Sequence, residues 1–185
     1  LTYMFGHPGK KMLFMGNDFA QWSEWNAGCS LDWHLLKHSR HKRINLLVRD
    51  LNRLYRQYKA FYEEDFSSGG FEWIDFKDAD NSVISFCRLS YDRSQLLIFT
   101  FNMTPVIRDN YRVGVPRPGF YKEIFNSEAF EYGGSGLGNQ GGIPAEHVPW
   151  QGRPFSINCQ LPPLGANIFC LCPLVAIGFL IFFST

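Results

Sequence analysis

Charge is missing from one end of this chain. The last 32 of its 185 residues carry no Asp, Glu, Lys or Arg, although 18 basic and 17 acidic side chains precede Pro154. Net charge is also lacking: at +1 the chain has no excess of cations with which to neutralise phosphates, which excludes a nucleic-acid binder that works through clustered Lys and Arg. The five cysteines, Cys29, Cys87, Cys159, Cys170 and Cys172, contain no CxxC pair. That spacing argues against a zinc ribbon or a disulfide framework and points to a reducing compartment, the cytoplasm. A signal peptide is absent too, and the first residue is Leu1 rather than Met, so a fragment of a longer protein is expected. The longest apolar run, Pro173 to Phe183, has eleven residues, short of the ~20 that span a bilayer, and even extended back to Ile168 it stays short. A membrane anchor is therefore not expected, and such a tail is aggregation-prone instead.

Aromatic residues are abundant: they make up 17% of the chain, with 18 Phe and 5 Trp. That much apolar surface is enough to overcome the entropy of ordering the backbone, so a globular fold follows. Leu1 to Lys11 reads as the end of an element closed by Pro8 and Gly9. Lys11 to Met15 is a short apolar run between turn residues, which suits a buried strand of a parallel sheet. A loop rich in Trp, Asn, Gly and Ser follows to about Lys37. Then Ile44, Leu47, Val48, Leu51, Leu54, Tyr55 and Tyr58 recur at helical spacing, with Lys42, Arg49, Arg53 and Arg56 on the opposite side. Strand, loop and helix make one βα unit of the kind that builds α/β barrels, whose chemistry lies in the loops that leave the carboxyl ends of the strands.

After an acidic, glycine-containing link from Glu63 to Gly70 the period changes to that of strands. Phe71–Asp75, Ser82–Ser90, Gln95–Asn102, Tyr111–Val113, Phe120–Phe125, Phe155–Leu161 and Ala166–Leu171 are rich in Phe, Ile, Val and Tyr. Turn residues such as Asp92-Arg93-Ser94 and Pro116-Arg117-Pro118-Gly119 separate them. About seven strands at this spacing predict an antiparallel β-sandwich. The expected division is residues 1–62, the end of a barrel; residues 63–172, the β-sandwich; and residues 173–185, the apolar tail.

The segment Asn17-Asp18-Phe19-Ala20-Gln21-Trp22-Ser23-Glu24-Trp25-Asn26 mixes carboxylates and amides with indoles. Sugar sites use this mixture, since carboxylates and amides bind hydroxyls in pairs while an indole covers the apolar face of a pyranose. The plain alternative is that Trp22, Trp25 and Trp33 are core or anchoring residues. Glycoside chemistry requires two carboxyls about 5 to 9 Å apart. Asp18, Glu24 and Asp32 lie on one loop, so no complete catalytic pair is expected within this chain. His34, His38 and His41 are spaced for one helix face, but neighbouring Lys37, Arg40, Lys42 and Arg43 would repel a metal ion, and solvated histidines are expected instead. Gly133 to Gly142 lacks the Lys-Ser/Thr of a phosphate loop and reads as a mobile surface loop. Nothing implies a metal or a cofactor.

The strings Pro8-Gly9-Lys10-Lys11-Met12-Leu13-Phe14-Met15-Gly16-Asn17-Asp18-Phe19-Ala20-Gln21, Glu24-Trp25-Asn26 and Ser30-Leu31-Asp32-Trp33-His34-Leu35-Leu36 closely resemble the last barrel strand and following loop of bacterial 1,4-α-glucan (glycogen) branching enzymes, of the α-amylase superfamily. The likeness continues through Gly70-Phe71-Glu72-Trp73-Ile74, Phe101-Asn102-Met103-Thr104-Pro105, Asn110-Tyr111-Arg112-Val113-Gly114, Glu123-Ile124-Phe125-Asn126-Ser127 and Leu161-Pro162-Pro163-Leu164, covering residues 1 to 172. Asp18 stands where the family more often has Glu, a side chain one methylene longer. The resemblance implies a closing βα unit of a (β/α)8 barrel followed by a C-terminal β-sandwich. It implies a parent transferase that cuts an α-1,4-glucan, holds it on an Asp and passes it to a 6-hydroxyl, as glycogen biosynthesis requires. The three catalytic carboxylates of the family lie on earlier barrel strands, which this sequence does not contain, so the chain alone is expected to be inactive. The implied partners are the α-glucan, glycogen or amylose, and the missing N-terminal part of the same enzyme. Asn17, Asp18, Gln21, Glu24 and Trp25 are the expected glucan-contacting residues. A non-catalytic glucan-binding β module, or a fragment of a related amylase or debranching enzyme, are the alternatives.

Overall fold

A computed structural model describes residues 1–172; the expected apolar tail, 173–185, lies outside the described residues. Among the described residues, eight antiparallel strands form two sheets. The larger has the order β1-β2-β3-β8-β5-β6, from β1 (Phe71–Asp78), β2 (Val83–Leu89), β3 (Leu96–Asn102), β5 (Phe120–Asn126), β6 (Gly142–Pro144) and β8 (Ala166–Cys172). The smaller pairs β4 (Arg108–Val115) with β7 (Phe155–Leu161). Seven of these eight are the strands expected from the sequence. β6 was not foreseen, because its three residues open on Gly142 at the end of the glycine-rich loop and offer no alternation to read.

β3 is buried along its whole length because it is covered on both faces. Its alternate residues point to opposite sides of the sheet. Leu97, Phe99 and Phe101 enter a core shared with α2 (Ser39–Gln57) and α1 (Thr2–Gly6), while Leu96 and Ile98 enter a second core shared with β4 and β7. The protein is thus built in three layers, helix on sheet on sheet. The described part of the uncharged end includes β8, which lies between β3 and β5 with Ile168 facing the helical core and Phe169 the inter-sheet core. A strand covered on two faces and paired on two edges has no position at which an unpaired charge could be hydrated.

The helix α2 runs close to the expected span and buries Leu47, Leu51 and Leu54 against the sheet, with Lys42, Arg49, Arg53 and Arg56 exposed. The first core therefore draws residues from both sides of position 63, including Leu51 and Phe61 on one side and Phe86 and Phe99 on the other. Arg88 ties the layers together. Fully buried on β2, its guanidinium donates to the carbonyls of Gly6, Phe61 and Gly70 and to Asp65 Oδ1, the last at 2.6 Å. Four of the five N–H donors of the guanidinium find acceptors, on Gly6 and on the stretch from Phe61 to Gly70, and the Asp65 carboxylate balances the buried charge.

The expected parallel strand at Lys11–Met15 is not formed: this segment is in no sheet, and Met12, Leu13 and Phe14 are exposed. A parallel strand exists only through hydrogen bonds to neighbours on its edges, and none of the described strands pairs with it. The glycine-rich loop is more ordered than expected. Glu123 accepts from the backbone and side chain of Asn139, and Glu128 accepts from the backbone and side chain of Ser135. Gly134 lies so close to the Glu128 carbonyl that a Cβ would stand 2.2 Å from its oxygen.

Candidate functional site

Between the extended segment 11–16 and the solvent-side flank of α2 lies a groove of about 490 Å³, lined by Phe14, Met15, Gly16, Asp18, Asn45 and Asn52 among others. Its shape follows from local backbone constraints. Gly16 has φ of 87°, and a Cβ there would stand 2.7 Å from Gln21, so the chain turns tightly into the 3-10 turn Asn17–Phe19. Phe19 is fully buried beneath that turn. His41 Nδ1 bonds to the Phe19 carbonyl at 2.9 Å and the His41 ring meets Trp22 edge to face. His41 is thus buried, contrary to the solvated histidine expected; His34 and His38 are exposed. The helical spacing placed His41 on the face that anchors the loop to α2.

Of the five expected sugar-contacting residues, Asp18 alone lines this groove; its Oδ2 accepts from Asn45 Nδ2 at 3.3 Å. Asn17 uses its side-chain oxygen to accept from the Phe14 backbone, and its amide nitrogen has no hydrogen-bond partner among the described residues. Gln21 is held from both ends, its oxygen accepting from Asp32 N at 2.8 Å and its amide donating to the Ser23 carbonyl. Glu24 is exposed with no hydrogen-bond partner among the described residues. Trp25 is exposed, and its ring packs edge to face on Phe14 at 5.5 Å. Asp32 is occupied by Ser23 Oγ. Asp18 and Gln21 are thus positioned by their neighbours, whereas Glu24 and Trp25 offer unoccupied surface. No group of His, Cys, Asp and Glu suited to a metal ion is present among the described residues.

Met12, Phe14, Trp22, Trp25 and Trp33 are all exposed in this leading region, and the rings of Phe14 and Trp25 are in contact with each other. The cysteines are all unpaired. Burial pushes the thiols of Cys87 and Cys159 up to about 12, and that of Cys170 to about 11, so none of the three is a nucleophile at neutral pH. Among the described residues, no helix is long and apolar enough to cross a membrane.

The two-sheet domain agrees with the family described as "Alpha amylase, C-terminal all-beta domain", whose model matches residues 73–171. The chain belongs to this α-amylase C-terminal domain family. It is 53% identical over 162 residues to the 1,4-alpha-glucan branching enzyme GlgB of Aquifex aeolicus, covering 88% of this chain and 26% of that protein. To the GlgB branching enzyme of Thermosynechococcus vestitus it is 50% identical over 170 residues, covering 92% of this chain and 22% of that protein. The chain therefore spans about a quarter of the length of these relatives. Among solved structures, a trehalulose synthase MutB variant is similar over 69% of this chain and 18% of its own, with a TM-score of 0.45 and 16% identity. The leading residues 1–72 lie outside the range that the family model matches, and both the groove and the exposed aromatic residues beside it lie in them.

The sequence reading of the site rested on one stretch, Asn17 to Asn26, because residues adjacent in sequence can be read together. A second concavity, between β1 and β4, was missed. Its residues come from positions 75–81, 107–112 and 150–151, and no local motif joins three such segments.

Proposed function

We propose that this chain is the C-terminal quarter of a 1,4-α-glucan branching enzyme. The observation that carries the reading is about 50% identity to branching enzymes over about nine-tenths of the chain, in agreement with a C-terminal α-amylase-type domain. The parent enzyme cleaves an α-1,4 bond of a glucan donor. An Asp carboxylate attacks the anomeric carbon as a Glu protonates the leaving 4-oxygen, and the glycosyl-enzyme ester is then displaced by the 6-hydroxyl of an acceptor chain, with the Glu taking that proton. Those carboxylates belong to the parent's upstream part, so the 185-residue chain alone is inactive.

In this reading residues 1–62 complete the catalytic barrel and residues 63–172 form the β domain behind it. The exposure of Met12, and of Phe14 and Trp25 in ring contact, supports it, since a neighbouring barrel strand would cover such side chains. Asn17, Asp18, Gln21, Glu24 and Trp25 form part of the wall that glucan passes. The side-chain amide of Asn17, the unoccupied Glu24 carboxylate and the open Trp25 face supply donor, acceptor and apolar platform. Five unpaired cysteines agree with a cytoplasmic enzyme.

The test is an assay on amylose of this chain and of the full-length enzyme read from the upstream coding sequence. New α-1,6 linkages are expected from the longer protein and not from the chain alone. Linkages made by the chain alone would refute the assignment of catalysis to the missing part, and their absence from the longer protein would refute the branching activity.

A further inference from the structure

The turn that carries the expected glucan-contacting residues is strained. Met15 and Ala20 hold positive φ, 35° and 55°, on the two flanks of the turn, with Gly16 at 87° beside the first. A Cβ crowds the backbone in this region, so a left-handed methionine or alanine persists only where its surroundings hold it. Alanine also lacks the short polar side chain with which Asn or Asp steadies itself there. The group that holds Ala20 is a buried side chain that the chemistry above does not use: His41 of α2, with 4% of its surface exposed.

His41 Nδ1 lies 2.9 Å from the carbonyl oxygen of Phe19, which belongs to the peptide joining Phe19 to Ala20. A carbonyl only accepts, so Nδ1 carries the hydrogen and donates it. The bond fixes the plane of that peptide, and with it the φ of Ala20. One helical turn further along α2, Asn45 donates to the Asp18 carbonyl at 3.4 Å and to Asp18 Oδ2 at 3.3 Å. Residues four apart share one helix face, so α2 grips the turn at Asp18 and at Phe19 together. The His41 ring also supports Trp22, the two centroids being 4.9 Å apart.

The helix is a firm base for this grip. Leu47, Leu51 and Leu54 are packed in the core beside the large sheet, and Asp50 accepts from the Tyr132 hydroxyl at 2.8 Å. Site groups are held in place best by rigid elements of this kind. Rotation of the Phe19–Ala20 peptide would let Ala20 relax to negative φ and would redirect the chain from Gln21 to Trp25. We infer that His41 is a positioning residue for the glucan wall: its Nδ1–H holds the Phe19–Ala20 peptide in the conformation that sets Asn17 and Asp18 before the turn against Gln21, Glu24 and Trp25 after it. Buried under the turn, His41 acts through these residues and does not itself touch glucan. The functional part of the inference rests on the branching-enzyme reading.

The test compares His41→Phe, which keeps a ring but has no donor, with His41→Asn, whose side-chain N–H stands in for Nδ1–H. In the longer enzyme read from the upstream coding sequence, His41→Phe is expected to raise KM for amylose by about tenfold or more with kcat much less affected, since the wall holds glucan both before and during the reaction. His41→Asn should stay close to the native KM. A native KM in His41→Phe, or equal impairment of the two variants, would overturn the proposal. A second readout needs no activity: in the 185-residue chain, the Gln21 amide closes the turn by donating to the Gly16 carbonyl at 3.0 Å. Its hydrogen exchange should quicken by about tenfold or more in His41→Phe and not in His41→Asn, while the amides of Leu51 and Leu54 keep their protection. Unchanged exchange at Gln21 would refute the grip, and uniform quickening along α2 would reduce His41 to an ordinary core residue. If the longer native enzyme makes no α-1,6 linkages, the branching reading fails by itself, and exchange at Gln21 still decides whether His41 holds the turn.

Discussion

Two parts of the first 62 residues carry the same kinds of side chain in opposite surroundings. On α1 and α2, Phe5 and Leu51 are almost wholly buried, packed on the large sheet through Phe86, Phe99 and Ile168. On the segment between them, Met12 is 77% exposed and Trp22 78%. Neither composition nor local propensity separates the two. The difference is that the helices find a ready-made apolar sheet face, whereas the extended segment finds no strand to pair with. Burial in this protein is decided by whether a partner surface is present.

Five experiments test whether a partner surface decides burial. The largest effect is expected from deleting residues 1–62. The remaining β domain would expose Leu97, Phe99, Phe101 and Ile168 on one whole sheet face, and it should be recovered as aggregate rather than as soluble protein. A soluble, cooperatively melting 63–172 would show that the helices are dispensable and that the contrast drawn here is false. Next, Arg88→Met leaves Asp65 and three carbonyls without their donor in a buried site, and a loss of about 3–5 kcal/mol is expected in urea unfolding. Leu51→Ala opens a cavity where α2 meets the sheet. A loss of about 2–5 kcal/mol is expected, and a change under 1 kcal/mol would mean that the helix packs more loosely than its burial implies.

Alkaline stability comes fourth. The thiols of Cys87 and Cys159 rise from 9.0 to about 12 on folding, because burial disfavours the thiolate. Groups whose pKa is raised in the native state stabilise it fully below their unfolded pKa, and that contribution is lost as pH rises through the folded one. The melting temperature should therefore fall progressively between about pH 9 and 12, and Cys87→Ala or Cys159→Ala should flatten the slope. In the native protein at neutral pH an alkylating reagent should modify exposed Cys29 while Cys87 and Cys159 stay protected. The smallest effect is expected at the exposed segment. Trp25→Ala should shift stability by no more than about 0.5 kcal/mol, and a larger loss would show that this surface already has a structural role within the chain.

The strands were legible because β-rich runs alternate with turn chemistry, and α2 because Leu47, Leu51 and Leu54 repeat at the helical period. β6 was not, having only three residues, and Lys11–Met15 was read as a strand although strand formation depends on a neighbour the run itself does not contain. The loop residues of the candidate site were readable as a group because they are adjacent; that Gln21 would be clamped by Asp32 and that His41 would be buried under Trp22 was not. Such facts depend on which side of a helix meets which turn.

The family, the number of large strands, the position of the long helix and the absence of charge in the closing strands could all be read along the chain. All of these are properties of contiguous segments, whose periodicity and composition act locally. Only the tertiary structure decided why the absence of charge is required, by inserting β8 between β3 and β5 under a helical layer. The same packing puts Arg88 between Gly6 and the stretch from Phe61 to Gly70, and brings Asp78, Arg108 and Trp150 to one cleft. Those outcomes arise from pairings between residues far apart in the chain, and the energy of such a pairing is written in neither partner alone.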